Sequence, residues 1–402
     1  MEERNPVTDN RKEVVLAGPR RTPVGTFQGA LRSVPAPRLG AVVVEAALEA
    51  AGVPKDAVDE VIMGNVLSAG LGQAPARQAA LFAGLPNSTE CLTINKMCGS
   101  GLKAVMLASQ AIQAGDTTVV VAGGMESMSR APYLIPKART GLRLGHGEIQ
   151  DSMILDGLWD VYTDQHMGCC AEICAREYGF SREEQDAFAM ESYRRARRAQ
   201  QEGLFREETV PVEVEDEKGR VTSVAEDEEP DRADFEKMKR LPPAFEPEGT
   251  VTAANASKLN DAAAAMVVLS EEKARELGVT PVARIISQAS NAQDPEWFTT
   301  APVGAVRKVL EKGGMRPEDI DLFEINEAFS AVGLAVTREL GLNPDVVNVH
   351  GGAVALGHPI GASGARILVT LLHAMKARGA RRGVAAICIG GGEASAVVVE
   401  RV

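Results

Sequence analysis

One stretch of this sequence occurs twice, and that duplication limits the possible folds more than any other feature. Residues 47–66, ALEAAGVPKDAVDEVIMGNV, align with residues 309–328, VLEKGGMRPEDIDLFEINEA. A looser match joins CGSGLKAVMLASQAIQAG, which starts at position 98, to GASGARILVTLLHAMKARG, which starts at position 361. Internal similarity of this extent indicates two related halves, each of which needs the other to cover its apolar face.

Each half alternates strand-like and helix-like patterns, which predicts βαβ units, an α/β fold class and a parallel sheet. The strand-like runs are 13–18, 59–67 and 117–124 in the first half, and 282–287, 319–326 and 383–392 in the second. The helix-like runs are 37–51, 73–84, 99–115, 303–313, 327–340 and 361–378.

A region of different character separates the halves. We predict the first half over 1–124, an inserted loop domain over 125–248, a return to the first half over 249–280, and the second half over 281–402. The insert contains two helix-like runs, 166–178 and 181–202, and an acidic run, 215–239, which is interpreted as a solvated face. Because loops on a rigid scaffold commonly bind ligands, the insert is expected to carry substrate contacts.

Composition excludes several classes of function. The net charge of −12 argues against nucleic acid or an anionic membrane as the main partner. No apolar run reaches the length of a membrane span, and the polar start, MEERNPVTDNRKEVVLAG, resembles neither a secretory signal nor a transit peptide. Six cysteines in 402 residues do not form a disulfide framework. Reduced thiols and a cytoplasmic location are therefore expected.

The stretch NKMCGSG, residues 95–101, places Cys98 between the strand-like CLTI and a helix-like run. A thiol at such a turn faces the positive end of the helix, which favours the thiolate and predicts a lowered pKa. The glycines let the backbone turn sharply and let another group approach. The alternative is a packed core cysteine, which behaves as a small hydrophobic residue.

Three further polar residues stand at comparable positions in the second half. His358 lies in GGAVALGHPIGASG, Asn326 ends a strand-like run before the helix that Glu327 begins, and Cys388 ends a strand before three glycines. Taken singly, each has a structural explanation: a core cysteine, a structural histidine or a helix cap. Taken together with Cys98, they lie at strand ends that two packed halves bring toward one interface, as a nucleophile, a base and a second acid/base.

The motifs identify a family resemblance that spans nearly the whole chain. They are RTPVGTFQGALR, NKMCGSG, HMGCCAE, GTVTAANAS, NEAF, GGAVALGHPIGASGAR and CIGGG, and they occur in this order. With them the chain resembles the thiolase family, and within it the biosynthetic-type acetoacetyl-CoA thiolases. The resemblance implies a thiolase fold: a five-layer αβαβα core made of two duplicated halves, with an inserted loop domain.

The resemblance also implies roles for individual residues. Cys98 matches the acylated nucleophile, His358 the base that activates it, and Cys388 the acid/base that moves the substrate α-proton. Asn326 matches the residue that holds a water which, with the His358 imidazole, forms one oxyanion hole, and the N–H groups of Cys98 and Gly390 match a second. The pantetheine and acyl pocket is matched by His166, Met167, Phe245, Ser257, Phe298 and Phe329.

Some positions depart from the family pattern. His350 stands where many members have asparagine, and we interpret it as a neighbour of the site and not a base. Lys258 and Ala262 stand where Gly or Thr and Gly are usual, so local coenzyme A contacts are expected to differ. Phe298 replaces the methionine of several bacterial members, and some members with an aromatic residue there accept 2-methyl substrates.

The cofactor expectations are few. No metal is predicted, because Cys169, Cys170 and Cys174 have helical spacing that favours packing, with no second ligand cluster. No cofactor is required beyond coenzyme A thioesters, which are the substrates. Some acetoacetyl-CoA thiolases bind potassium through backbone carbonyls near the segment TVTAANAS, and this option stays open.

The predicted function is reversible Claisen condensation of two acetyl-CoA to acetoacetyl-CoA and CoA through an acyl-cysteine, in fatty acid metabolism, by a homo-oligomer expected to be a tetramer. The alternatives are a degradative 3-ketoacyl-CoA thiolase of broader chain length and a non-catalytic acyl-CoA binder of the same fold. A ketosynthase is disfavoured because Asn326 stands where those sites use a second histidine, and a thiol-redox protein because no CxxC pair occurs.

Overall fold

Strands and helices alternate in two series, separated by a region that contains short strands and two longer helices. The computed structural model describes residues 12–402, so the first eleven residues, on which the prediction about the polar start partly falls, lie outside the described residues. The strands are β1 Val14–Arg21, β2 Gly25–Thr26, β3 Glu60–Gly64, β4 Glu90–Ile94, β5 Val119–Ser127, β6 Tyr133–Leu134, β7 Gln150–Asp151, β8 Trp159–Asp160, β9 Gln165–His166, β10 Val212–Glu215, β11 Val221–Val224, β12 Asn260–Ser270, β13 Ala283–Ala292, β14 Leu322–Ile325, β15 Arg382–Ile389 and β16 Glu393–Arg401. The helices are α1 Ala36–Ala51, α2 Pro75–Phe82, α3 Ser100–Ala114, α4 Ser152–Gly157, α5 Met167–Tyr178, α6 Arg182–Gln201, α7 Glu229–Arg232, α8 Phe235–Met238, α9 Glu271–Leu277, α10 Ala301–Lys312, α11 Ser330–Leu340, α12 Ala353–Leu356 and α13 Ile360–Arg378.

Local sequence explains where the main helices begin and end. Helix α1 starts behind Pro35 with a second proline in its first turn, and it ends at Gly52 in the left-handed conformation, φ 68°. Helix α6 starts with a complete capping box, in which Ser181 and Glu184 each bond the other's backbone N–H.

The main sheet is mixed, so the prediction of a parallel sheet is wrong in part. Its path is β14-β15-β16-β13-β1-β12-β5-β3-β4, with β2 paired to β12. The pairs β3–β4, β3–β5 and β14–β15 are parallel, whereas β12 and β16 run antiparallel to their neighbours. Strand β16 follows β15 through a tight turn in which Gly391 and Gly392 have positive φ, and a turn this short can only join antiparallel strands.

The strands of the two halves are joined through the β1–β13 pair, and with the helices they form the five layers that the family resemblance implies. Helices α3 and α13 pack against each other and touch strands of both halves, while α1 with α2 and α10 with α11 cover the outer faces. Fifteen of the nineteen residues of α13 are buried, as an innermost layer requires. Close packing depends on small residues, because a Cβ on Gly364 would lie 2.4 Å from the Leu102 nitrogen.

The inserted region follows its predicted helices closely and departs from prediction in its acidic run. The helix-like runs 166–178 and 181–202 correspond to α5 and α6. Within 215–239, however, Asp227 and Glu229 are buried, so a fully solvated face is wrong there. Asp227 accepts two bonds from the buried Arg21, and Glu229 accepts one from Thr26, because the first half supplies buried donors that need acceptors.

Candidate active site

A cavity of about 340 Å³ lies where the two halves meet the inserted region, and its walls are largely apolar. Nine of the eleven residues singled out from the sequence line it: Cys98, His166, Met167, Phe245, Ser257, Phe298, Phe329, His358 and Gly390. The remaining two, Asn326 and Cys388, are buried side chains that do not line it. Residues far apart in sequence thus meet at the strand ends, as predicted from the topology.

Cys98 lies between β4 and α3, in the turn that precedes the first helical residue, Ser100. The turn is held by the Ser100 hydroxyl, which accepts from the Lys96 N–H and donates to the Met97 carbonyl. Gly99 permits a close approach to β15, because a Cβ there would lie 2.3 Å from the Ile389 side chain. The glycine therefore lets the Cys98 turn lie against the end of the strand that carries Cys388.

Burial raises the pKa of the Cys98 thiol to about 11, so the lowered pKa expected from the helix start is wrong. The backbone N–H groups of Gly390 and of Cys98 itself point at the sulfur and oppose this rise, while the buried Glu126 carboxyl adds to it. Desolvation outweighs these N–H groups, since a charged sulfur loses its water in an apolar cavity. The thiol needs a base to become a nucleophile.

His358 lines the same cavity and has a ring nitrogen available to act as that base. The Ser363 hydroxyl donates to the Pro359 carbonyl at 2.9 Å and lies 2.6 Å from Nδ1 of His358, so it accepts the Nδ1 proton. The other ring nitrogen, Nε2, then carries the lone pair, and it has no partner in the described part of the protein. Burial and the nearby Arg366 lower the pKa of His358 to about 3, which keeps the imidazole neutral.

Behind the cavity lies the second thiol. Cys388 is close enough to Cys98 for the two thiols to influence each other's ionisation, and burial raises the pKa of Cys388 strongly. Its own N–H, the Ala328 N–H and the Asn326 amide approach the sulfur and oppose that rise. Apart from this approach, the fully buried Asn326 amide has no hydrogen-bond partner among the described residues.

Aromatic residues form one wall of the cavity. The rings of His166 and Phe245 stack at 4.8 Å, and Phe329 meets Phe245 edge-on at 6.0 Å and Phe298 at 6.2 Å. Nδ1 of His166 accepts the Gly168 N–H, which fixes the ring at the start of α5. This rigid wall suits a flat, neutral acyl chain better than a charged one.

Sequence reasoning missed two residues that set the position of His358. Ser363 fixes the imidazole as described above, and Asn260 accepts the His358 main-chain N–H at 2.9 Å. Ser363 could have been found, because it follows His358 by little more than a helical turn in HPIGASG and a base needs a partner for its second nitrogen. Asn260 gave no such signal, since only the tertiary structure brings β12 next to this segment.

The departures from the family pattern occupy distinct places. His350 is buried against Phe205 and does not line the cavity, whereas Lys258 does line it.

Cys170 and Cys174 are fully buried in apolar clusters. Over residues 12–402, no three His, Cys, Asp or Glu side chains come together as a metal site requires. Within the same range, no helix combines the length and apolar character needed to cross a membrane.

Comparison with known proteins shows the same relationship in sequence and structure. The profile described as "Thiolase, N-terminal domain" matches residues 14–272, and "Thiolase, C-terminal domain" matches residues 279–401. An acetyl-CoA acetyltransferase from Cupriavidus necator is 55% identical over 390 residues, which cover 97% of this chain and 99% of the relative. Acetyl-CoA acetyltransferase 1 from Arabidopsis thaliana is 53% identical, covering 98% and 96%.

Solved structures of thiolases and acetyl-CoA acetyltransferases have the same fold as this chain. A thiolase from Ascaris suum in complex with coenzyme A superposes with a TM-score of 0.93 at 48% identity, and the match covers 97% of this chain and all of that one. The acetyl-CoA acetyltransferase of Bacillus anthracis gives a TM-score of 0.96 at 43% identity, covering 98% of this chain.

Proposed function

Because this chain belongs to the thiolase family, we propose that it interconverts two acetyl-CoA with acetoacetyl-CoA and CoA through an acetyl group carried on Cys98. One observation supports this above the others: Cys98, a neutral His358 with its Nε2 lone pair free, and the Gly390 N–H line the same apolar cavity. A non-catalytic binder has no need of a base oriented in this way.

The first half-reaction is acyl transfer to the cysteine. Nε2 of His358 takes the proton of Cys98, and the thiolate attacks the acetyl thioester carbonyl, so that a carbon–sulfur bond to Cys98 forms as the bond to CoA breaks. His358 returns the proton to the departing CoA thiolate. The N–H groups of Cys98 and Gly390 stabilise the oxyanion, a contribution of about 3 kcal/mol per donor in comparable sites.

The second half-reaction needs a carbon nucleophile. Cys388 first releases its own proton to water and then, as the thiolate, removes the α-proton of a second acetyl-CoA, whose enolate attacks the acetyl carbonyl on Cys98. The new carbon–carbon bond replaces the bond to Cys98, whose thiolate takes a proton from water. Burial raises the pKa of Cys388, so its thiolate, once formed, is a stronger base toward a weakly acidic thioester than an exposed thiolate would be. The unpartnered Asn326 amide supports the proposed water in the oxyanion hole.

Cys388→Ser tests this division of labour. The variant should lose condensation and acetoacetyl-CoA cleavage by at least the ~100-fold typical of losing a positioned acid/base. It should keep acetyl exchange between acetyl-CoA and labelled CoA, which needs only Cys98 and His358. Cys98→Ser should abolish both, and Cys169→Ser, a partly exposed cysteine outside the cavity, should change neither. Equal loss of exchange and condensation in Cys388→Ser would contradict the assignment.

A broader 3-ketoacyl-CoA thiolase is the second candidate. The edge-on contact between Phe298 and Phe329, both nearly fully buried, closes one side of the cavity and favours short acyl groups. Thiolysis rates across C4, 2-methyl-C4 and C6–C16 3-ketoacyl-CoA substrates separate the two. A rate that rises beyond C6 would contradict acetoacetyl-CoA specificity.

We further propose a homotetramer that acts in the cytoplasm, in fatty acid metabolism, with no cofactor beyond its substrates. Tyr133 and Ile135 are 63% and 48% exposed, and Leu144 is fully exposed, so the inserted region presents apolar side chains without a local core. Strand β4 ends the sheet with Leu92 exposed, which leaves a second surface for pairing. Six unpaired cysteines suit a reducing compartment. Light scattering that reports a monomer at micromolar concentration would contradict the assembly.

A further inference from the structure

The ammonium group of Lys258 bridges two separate segments that line or approach the cavity. Its Nζ donates to the Ala256 carbonyl at 2.6 Å and to the Val354 carbonyl at 3.4 Å. Ala256 belongs to the loop that carries Ser257, and Val354 lies in α12, four residues before His358. The main-chain carbonyl of Lys258 also accepts the His358 N–H at 3.3 Å. One residue thus ties the acyl pocket to the segment that carries the base.

Three groups near this ammonium stabilise its positive charge and offset part of its loss of water. Tyr193 presents its ring 5.7 Å from Nζ, and two buried carboxyl groups, Glu229 and Glu327, lie near enough to stabilise the positive charge. In the part of the chain that the structure describes, neither carboxylate forms an ion pair with Lys258. Burial lowers the pKa of the amine to about 8, so the ammonium form still prevails at neutral pH.

Two main-chain carbonyls, those of Ala256 and Val354, converge on this charge. Carbonyls of this kind are also what a small monovalent cation binds when it exchanges its hydration shell for protein oxygens. We propose that the Lys258 ammonium acts as a built-in cation: it holds the Ala256 and Val354 carbonyls together and so positions His358, and it makes an added monovalent cation unnecessary. Lys258 is a positioning residue, since it acts through the backbone of its neighbours. The inference rests on the proposed function only in taking His358 as the base of Cys98.

Removing the charge should create a cation requirement. In Lys258→Gly the space and the carbonyls remain, so activity should fall at least ~10-fold when tetramethylammonium is the only cation, given the strength of hydrogen bonds from a charged donor. Potassium or ammonium should restore it in a saturable way. The natural chain should be equally active in all three salts at equal ionic strength. Lys258→Met fills the space with an apolar chain and should stay impaired in every salt.

The rate at which iodoacetamide alkylates Cys98 is the main readout, because it reports the base function of His358 without any acyl-CoA. It therefore separates failure of this inference from failure of the proposed reaction, which acetoacetyl-CoA thiolysis measures in parallel. Lys308→Met, at an exposed lysine that donates to Asn291 away from the cavity, is the matched control and should alkylate at the natural rate.

Three outcomes would overturn the inference. The first is that the alkylation rate of the natural chain depends on potassium or ammonium. The second is that folded Lys258→Gly is alkylated in tetramethylammonium as fast as the natural chain. The third is that neither potassium nor ammonium restores the alkylation rate of folded Lys258→Gly. If Lys258→Gly does not fold, Lys258→Met decides: alkylation at least ~10-fold slower than in Lys308→Met supports the inference, and an equal rate refutes it.

Discussion

Replacing Ser363 with alanine tests the arrangement of the base most directly. The Ser363 side chain is fully buried, and its hydroxyl is the acceptor for the Nδ1 proton of His358 at 2.6 Å. Alanine removes that acceptor and leaves a buried N–H without a partner, or lets the proton move to Nε2, where it blocks the lone pair. Either result costs about 1–3 kcal/mol, which corresponds to a rate loss of about 5- to 150-fold.

The assay is the alkylation rate of Cys98 by iodoacetamide, followed from pH 6 to pH 9 alongside acetyl exchange. Ser109→Ala is the control, because Ser109 is equally buried inside helix α3 and its hydroxyl has no partner among the described residues. We expect Ser363→Ala to slow both reactions and Ser109→Ala to change neither, with both variants folded at the assay temperature. Rates of Ser363→Ala within twofold of the natural chain would refute the role of the hydroxyl.

Three further predictions follow from burial. Because burial raises the pKa of Cys98 to about 11 and lowers that of His358 to about 3, alkylation of Cys98 should keep rising above pH 9, and it should show no midpoint near 6.5; a plateau by pH 8 would contradict the raised thiol pKa. Arg21→Met should lower the free energy of unfolding by about 3–5 kcal/mol in urea titrations, because it leaves Glu208 and Asp227 buried without their partner; exposed Arg32→Met should not. Gly168→Ala places a Cβ 2.3 Å from the Phe245 ring, so KM for acetoacetyl-CoA should rise several-fold; an unchanged KM would show that the ring moves freely.

Sequence alone determined the features that depend on neighbours along the chain. Apolar periodicity located the helices within a few residues, as for the predicted 181–202 and the observed Arg182–Gln201. Turn chemistry placed Cys98 between a strand and a helix, and the duplicated stretch indicated two halves with a shared interface. The family resemblance then identified nine residues that line the cavity, because each family motif is a short run of neighbouring residues that can be found in the sequence without a structure.

Only the tertiary structure decided what surrounds those residues. It joined β12 and β16 antiparallel to their neighbours, buried Asp227 within an acidic run, and supplied Ser363 and Asn260 as partners for His358. It also reversed the expected direction of the Cys98 pKa shift, because the helix end that favours a thiolate is a local property, whereas loss of water depends on every segment that closes over the sulfur. The pKa of a side chain and the way it packs depend on contacts with residues at any distance along the chain. A sequence pattern reports only on contacts between near neighbours.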